Sequence, residues 1–145
     1  AHYDSLTDIP NRILFRDRLE HAVHLAERDH TSFTLMFIDL NGFKQVNDNF
    51  GHDAGDAIIR ICAERLNACL RRSDSVARMG GDEFTLLLQN IANSTDVAHI
   101  AQKVIDSIQQ PADINGHEVV VGCSIGIAIY PEAGRTFTAA LRVSF

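Results

Sequence analysis

The run Phe33-Thr34-Leu35-Met36-Phe37-Ile38 is nearly continuous in apolar side chains and ends on Asp39. A half-buried strand alternates polar and apolar residues, whereas an unbroken apolar run calls for cover on both faces. The segment therefore predicts a strand deep inside a layered structure, delivering a carboxylate at its end. The neighbouring sequence supplies the layers. Asn11 to about Asp29 carries Ile13, Leu14, Leu19, Val23, Leu25 and Ala26 at close to helical spacing, with Pro10 where a helix start tolerates it. Phe43 to Phe50 predicts a short helix. The turn Gly51-His52-Asp53-Ala54-Gly55 follows, with Asp53 as the expected N-cap of a helix reaching about Leu70. Ser75 to Met79 and Phe84 to Leu88 predict strands around a hairpin-type turn, Gly80-Gly81-Asp82. Thr95 to Gln109 predicts another helix, stopped by Pro111. Asn115-Gly116 predicts a hairpin between Ala112–Ile114 and His117–Val121, and Gly122 to Tyr130 reads as a final central strand. This interleaving favours an α+β fold, an α/β sandwich around one mixed sheet, and 145 residues suit one domain.

Charge and cysteine usage narrow the function classes. A net charge of −6 argues against binding long nucleic acid, which asks for a basic stripe. It leaves a single nucleotide open, because metal ions and a few backbone N–H groups can neutralise one triphosphate. No apolar stretch approaches the roughly 20 residues that cross a bilayer. Cys62, Cys69 and Cys123 are odd in number and form no C-x-x-C pair, so buried free thiols are expected in place of disulfides or a zinc site. Cys62 and Cys69 are expected on one face of one helix. The chain opens Ala1-His2-Tyr3 without an initiator methionine, and is expected to be a piece of a longer protein.

Two acidic sites stand at expected strand ends: Asp39, and Asp82-Glu83 in the hairpin turn. If their strands are neighbours, three carboxylates meet at one edge of the sheet. Carboxylates placed together need a cation, and oxygen donors suit Mg²⁺ or Mn²⁺, which can clamp the oxygens of an in-line phosphoryl transfer. The alternative is a tight polar hairpin with solvated acids. Asn41-Gly42-Phe43-Lys44 leads into a helix, whose free N–H groups suit phosphate. Lys44 could offset charge on a transferred phosphoryl group, or be a solvated surface lysine. Asn47, His52 and Asp56 offer an amide and a carboxylate able to read a purine edge, or serve as cap and turn residues.

Taken in order and spacing, four stretches resemble the GGDEF family, the catalytic domain of diguanylate cyclases. They are Asp39-Leu40-Asn41-Gly42-Phe43-Lys44-Gln45-Val46-Asn47-Asp48, Phe50-Gly51-His52-Asp53-Ala54-Gly55-Asp56, Arg78-Met79-Gly80-Gly81-Asp82-Glu83-Phe84, and the late Ser124-Ile125-Gly126-Ile127-Ala128. The opening Asp4-Ser5-Leu6-Thr7-Asp8-Ile9-Pro10-Asn11-Arg12 fits the same pattern, so the resemblance covers Asp4 to about Gly134. It implies a central, mostly antiparallel sheet flanked by helices, like nucleotidyl cyclase and polymerase palm domains. It implies a domain that joins two GTP into cyclic di-GMP, with Mg²⁺ or Mn²⁺, two ions per active site, held by Asp39, the Leu40 carbonyl, Asp82 and Glu83. By the same resemblance Asp82 accepts the 3′-hydroxyl proton beside Glu83, and Lys44 stabilises the transition state. Asn47, His52 and Asp56 contact the nucleotide, and the backbone at Gly42 and Phe43 meets the phosphates. Two domains must face each other, so a homodimer is implied, working in the cytoplasm or as the cytoplasmic part of a membrane-anchored protein.

Arg71 and Asp74 stand where many members of that family carry R-x-x-D, which implies an inhibitory site for cyclic di-GMP; the alternative is a charged helix end. After about residue 132 the resemblance fades. The family continues into a last helix bearing a basic residue near the phosphates, and Thr138 to Phe145 match it poorly, so a truncated or diverged end is expected. The rival reading is a catalytically inactive nucleotide- or cyclic di-GMP-binding regulatory module, with a purely structural dimerisation domain as a third.

Overall fold

The computed structural model describes residues 1–91, 93–131 and 138–144. Its elements run α1 (Arg12–Asp29), β1 (Phe33–Asn41), α2 (Phe43–Phe50), α3 (His52–Ala68), β2 (Ser75–Gly80), β3 (Glu83–Gln89), α4 (Ser94–Ile108), β4 (Ala112–Ile114), β5 (His117–Val119), β6 (Gly122–Tyr130) and β7 (Thr138–Ser144). The main sheet has five strands in the order β2-β3-β1-β6-β7, and β4-β5 form a separate hairpin.

Every pairing is antiparallel, so the mixed sheet expected from the interleaved elements does not form. The chain from β1 through α2 and α3 returns as β2, which would lie parallel to β1, but β3 inserts between the two. The α+β class, with its palm-like sheet flanked by helices, is the observed one. β6 is internal but not final, since β7 pairs along its outer side. Over residues 138–144 the backbone is this strand and not a helix; Glu132 to Arg135, where the family pattern fades, lie outside the described residues.

Two apolar layers hold the sheet. On one face Met36, Ile38 and Leu40 of β1, with Phe84, Leu86 and Leu88 of β3, pack with α3 and α4 into the main core. On the other, Phe33 and Leu35 pack with Phe15, Ala22 and Ala26 of α1. The expectation of burial on both faces holds from Phe33 to Met36 and fails at Phe37, which is 48% exposed. The residues of β1 that pack with α1 are Phe33 and Leu35; farther along the same face, Phe37 and Asp39 are exposed.

The helix starts also differ in detail. Asn11 caps α1, accepting from the N–H groups of Ile13 and Leu14. Gly51, not Asp53, precedes α3; Asp53 sits inside its first turn, where a negative charge still complements the helix dipole. Cys69 lies just past the end of α3, half-buried, while Cys62 is fully buried. All three cysteines are free. Burial pushes the Cys62 thiol up to about 12 and that of Cys123 up to about 11, so both remain neutral. Among the described residues no helix is long and apolar enough to cross a membrane.

Candidate active site

Asp39 and Asp82 come together because β1 and β3 are neighbours. Their register sets Asp39 opposite Glu83, and the Leu40 N–H donates to the Asp82 carbonyl at 3.2 Å. Between β2 and β3 the chain must reverse tightly, and Gly80 (φ 149°) and Gly81 (φ 50°) adopt backbone angles that other residues rarely take. Asp82 is thereby turned toward Asp39. Its carboxyl is pushed up from its ordinary value, first by burial, then by the charge and hydrogen bond of Asp39, with a smaller push from Glu83. Two acids held in mutual repulsion form a site that favours a positive partner. Beside them lies a cavity of about 290 Å³, lined by Phe37, Ile38, Asp39, Glu83, Phe84, Thr85, Ser124 and Gly126. It opens on the face where Phe37 and Asp39 are exposed, and Gly126, opposite Phe37, keeps its floor low.

The donor set suits a hard divalent cation. Asp39 and Asp82 offer carboxylate oxygens, and the Leu40 carbonyl lies at the same strand end. Among the described residues no three His, Cys, Asp or Glu side chains converge into a ready-made cage. The three carboxylates expected to converge at this edge therefore do not form one group, because Asp82 stands in the turn while Glu83 lies on the ladder opposite Asp39.

The other expected site residues fall into separate groups. Gly42 precedes α2 at φ 90° and gives it no side-chain cap, so the first N–H groups of α2 are left for an anion. Lys44 is exposed in the first turn of α2, and Phe43 packs its ring against the main core. Asn47 and Asp56 are half-buried on α2 and α3, and His52 is exposed at the start of α3. Arg71 and Asp74 bind each other, with Nε–Oδ2 at 3.0 Å and Nη2–Oδ1 at 2.8 Å. Asp74 also accepts the Gln89 N–H at 3.1 Å, and its side chain is only 3% exposed, so its oxygens are already engaged in holding the start of β2 to the end of β3. The Arg71 side chain is half exposed.

Two residues that the sequence reading quoted without assigning a role prove to brace the turn. Arg78 donates from Nε and Nη2 to the Gly81 carbonyl, at 3.0 and 2.8 Å, and from Nη1 to both Asp4 oxygens at 3.2 Å. Asp4 in turn accepts the Thr7 N–H and hydroxyl, at 3.0 and 2.8 Å. The opening segment is thus tied to the acidic turn through the Arg78 guanidinium, with Arg12 Nη2 donating to the Met79 carbonyl at 3.0 Å as a second link. A fixed spacing of acid and threonine, with an arginine just before a Gly-Gly turn, was the available signal; only the tertiary contact gives it meaning. Burial alone pushes Asp4 up, but Thr7 and Arg78 outweigh it and hold the carboxyl below its ordinary 3.8. Its stabilisation is therefore present above that ordinary value and lost as pH falls through the lowered one. Asp4→Asn is expected to cost about 1–2 kcal/mol at neutral pH. That cost should shrink as pH falls through the lowered value, as urea-unfolding midpoints at neutral and at acid pH will show. A cost that persists unchanged in acid would mean the charge is irrelevant.

Comparison with known proteins gives one consistent family. The family model described as "Diguanylate cyclase, GGDEF domain" matches residues 1–144. The chain is 48% identical over 136 residues to the bifunctional diguanylate cyclase/cyclic di-GMP phosphodiesterase MucR of Pseudomonas aeruginosa, covering 94% of this chain and 20% of MucR. It is 44% identical to the diguanylate cyclase TpbB of the same organism, covering 97% of this chain and 33% of TpbB. The chain thus spans a fifth to a third of the length of these relatives. The structure of the isolated GGDEF domain of TpbB superposes with a TM-score of 0.87 at 43% identity, over 93% of this chain and 79% of that one.

Proposed function

The chain belongs to the GGDEF family of diguanylate cyclase domains, and from that membership we propose that it condenses two GTP into cyclic di-GMP with release of two pyrophosphates. The single observation that carries the reading is the pairing of Asp39 with Asp82 beside an open cavity. Each condensation forms a bond from a 3′-oxygen to an α-phosphorus and breaks the bond from that phosphorus to the bridging oxygen of pyrophosphate. Mg²⁺ or Mn²⁺, held by Asp39, Asp82 and the Leu40 carbonyl with Glu83 close by, would supply positive charge at the reacting phosphate. Asp82 takes the proton from the attacking 3′-hydroxyl. Lys44 faces the charge that develops on the phosphoryl oxygens, and the uncapped N–H groups after Gly42 bind the phosphates. Asn47 and Asp56 read the guanine edge, with His52 also at the nucleotide. Because one domain presents one such site, closure of the ring needs two domains face to face, in a homodimer at least transiently. The domain is read as the cytoplasmic signalling part of a longer protein.

The test is a product assay. The protein, incubated with GTP and Mg²⁺ or Mn²⁺, is expected to yield cyclic di-GMP and pyrophosphate in a ratio of one to two. A folded, metal-supplied dimer that makes neither sinks catalysis. A second reading, an inactive nucleotide-binding regulatory module, is favoured by the strand over residues 138–144, where the family expectation is a helix carrying a phosphate contact. That reading predicts cyclic di-GMP binding without turnover, lost on Arg71→Ala.

A further inference from the structure

Gly55 lies in the first turns of α3, fully buried, and its backbone is not among the positive-φ glycines. An ordinary helical residue would adopt this conformation without strain. Glycine at such a place weakens a helix relative to alanine, so conformation gives no reason for it. The surroundings do. A Cβ added at Gly55 would fall 1.8 Å from Oδ1 of Asn47, 2.8 Å from its Cγ and 3.3 Å from its Nδ2. The three nearest atoms all belong to one amide, which lies against the bare backbone of α3. The backbone fixes the two partners as well. The Gly51 N–H donates to the Asn47 carbonyl at 2.8 Å, and the Gly55 N–H donates to the Gly51 carbonyl at 3.2 Å. Asn47, in the second half of α2, is thus held to the start of α3, where Gly55 directly precedes Asp56.

We propose that Gly55 is a positioning residue for purine recognition: its missing side chain is the slot that seats the Asn47 amide beside Asp56. This rests on the reading of Asn47 and Asp56 as the guanine-recognising pair. The chemistry follows from what must yield when the slot is filled. The obstructing atoms are the far end of a rotatable side chain, not backbone or core, so an added methyl displaces the amide and leaves the helix intact. A base edge is matched only when donor and acceptor are aimed at it, and a displaced amide loses that match.

The experiment measures binding of a non-hydrolysable GTP analogue and of the corresponding ATP analogue by calorimetry, with thermal unfolding in parallel. The proteins are wild type, Gly55→Ala, Asn47→Ala and the double variant. For Gly55→Ala the unfolding midpoint is expected to stay level or rise, through the better helix former. Its affinity for the GTP analogue is expected to fall on the order of tenfold, the loss of one directed hydrogen bond. Binding of the ATP analogue should not change. Asn47→Ala should lose as much, and the double variant no more than Asn47→Ala alone, because the slot has then nothing to seat. Gly55→Ala that binds the GTP analogue normally while Asn47→Ala does not overturns the slot alone. Losses that add in the double variant, or a fall in midpoint large enough to explain the weaker binding, overturn it too. If Asn47→Ala itself binds normally, the guanine-recognition reading falls and takes this proposal with it.

Discussion

Asp82→Asn is expected to lower cyclic di-GMP formation roughly a thousandfold while leaving the fold as stable as before or more so. The two halves of that result come from one arrangement. The Asp82 carboxyl is partly withdrawn from water and stands against the charge of Asp39, with Glu83 adjacent. In the free protein this is a conflict, and an uncharged isostere relieves it. On the proposed mechanism the paired acids attract a cation and Asp82 serves as the base at the 3′-hydroxyl, and the isostere supplies neither. Product quantified by chromatography at saturating GTP and metal, set beside the unfolding midpoint, reads both. A variant that loses activity only because it unfolds would show Asp82 to be a structural residue, and a fully active one would remove it from the chemistry.

Phe84→Ala carries the largest expected loss of stability, about 3–5 kcal/mol. Phe84 is 1% exposed, belongs to the main core, and follows Glu83 directly on β3. Truncation would leave a void where β3 meets the α3–α4 layer, and the domain's total stability is itself only about 5–15 kcal/mol. Urea unfolding of the variant should move the midpoint far down, with Phe84→Leu losing much less because most of the volume is kept. A loss under about 1.5 kcal/mol for the alanine variant would mean that the site collapses around the void and the packing is looser than the burial implies.

What could be read in the sequence follows from how local each signal is. Helices α1, α2 and α4 appear within a residue of their expected bounds, because periodicity, caps and turn residues act over a few positions; the Asn115-Gly116 hairpin forms too, its second strand ending at Val119, two residues short of the expected Val121. Phe37 was misjudged because an apolar residue in a run says nothing about how much of its face a helix covers. Asp53 was expected to cap α3, yet Gly51 takes the place: a glycine at φ 91° serves both as the end of α2 and the start of α3. The mixed sheet was a topological error. Element order alone does not say that β3 slips between β1 and β2. At the candidate site, the acids were legible as residues, but the register pairing Asp39 with Glu83 was not. Nor was the guanidinium of Arg78 joining Asp4 to Gly81 across more than seventy positions, since such a contact leaves no periodic trace.

Helix α2 is bounded at both ends by glycines with positive φ, Gly42 at 90° and Gly51 at 91°. Asp39 and Glu83 stand on the hydrogen-bonded ladder of β1 and β3, whereas Asn47, the proposed base-reading amide, rides on a separate short helix. On the proposed roles, a change confined to Asn47 would alter which nucleobase is accepted while leaving that ladder, and Lys44 one turn earlier on α2, in place, so a descendant of this domain could alter its diet while retaining its chemistry.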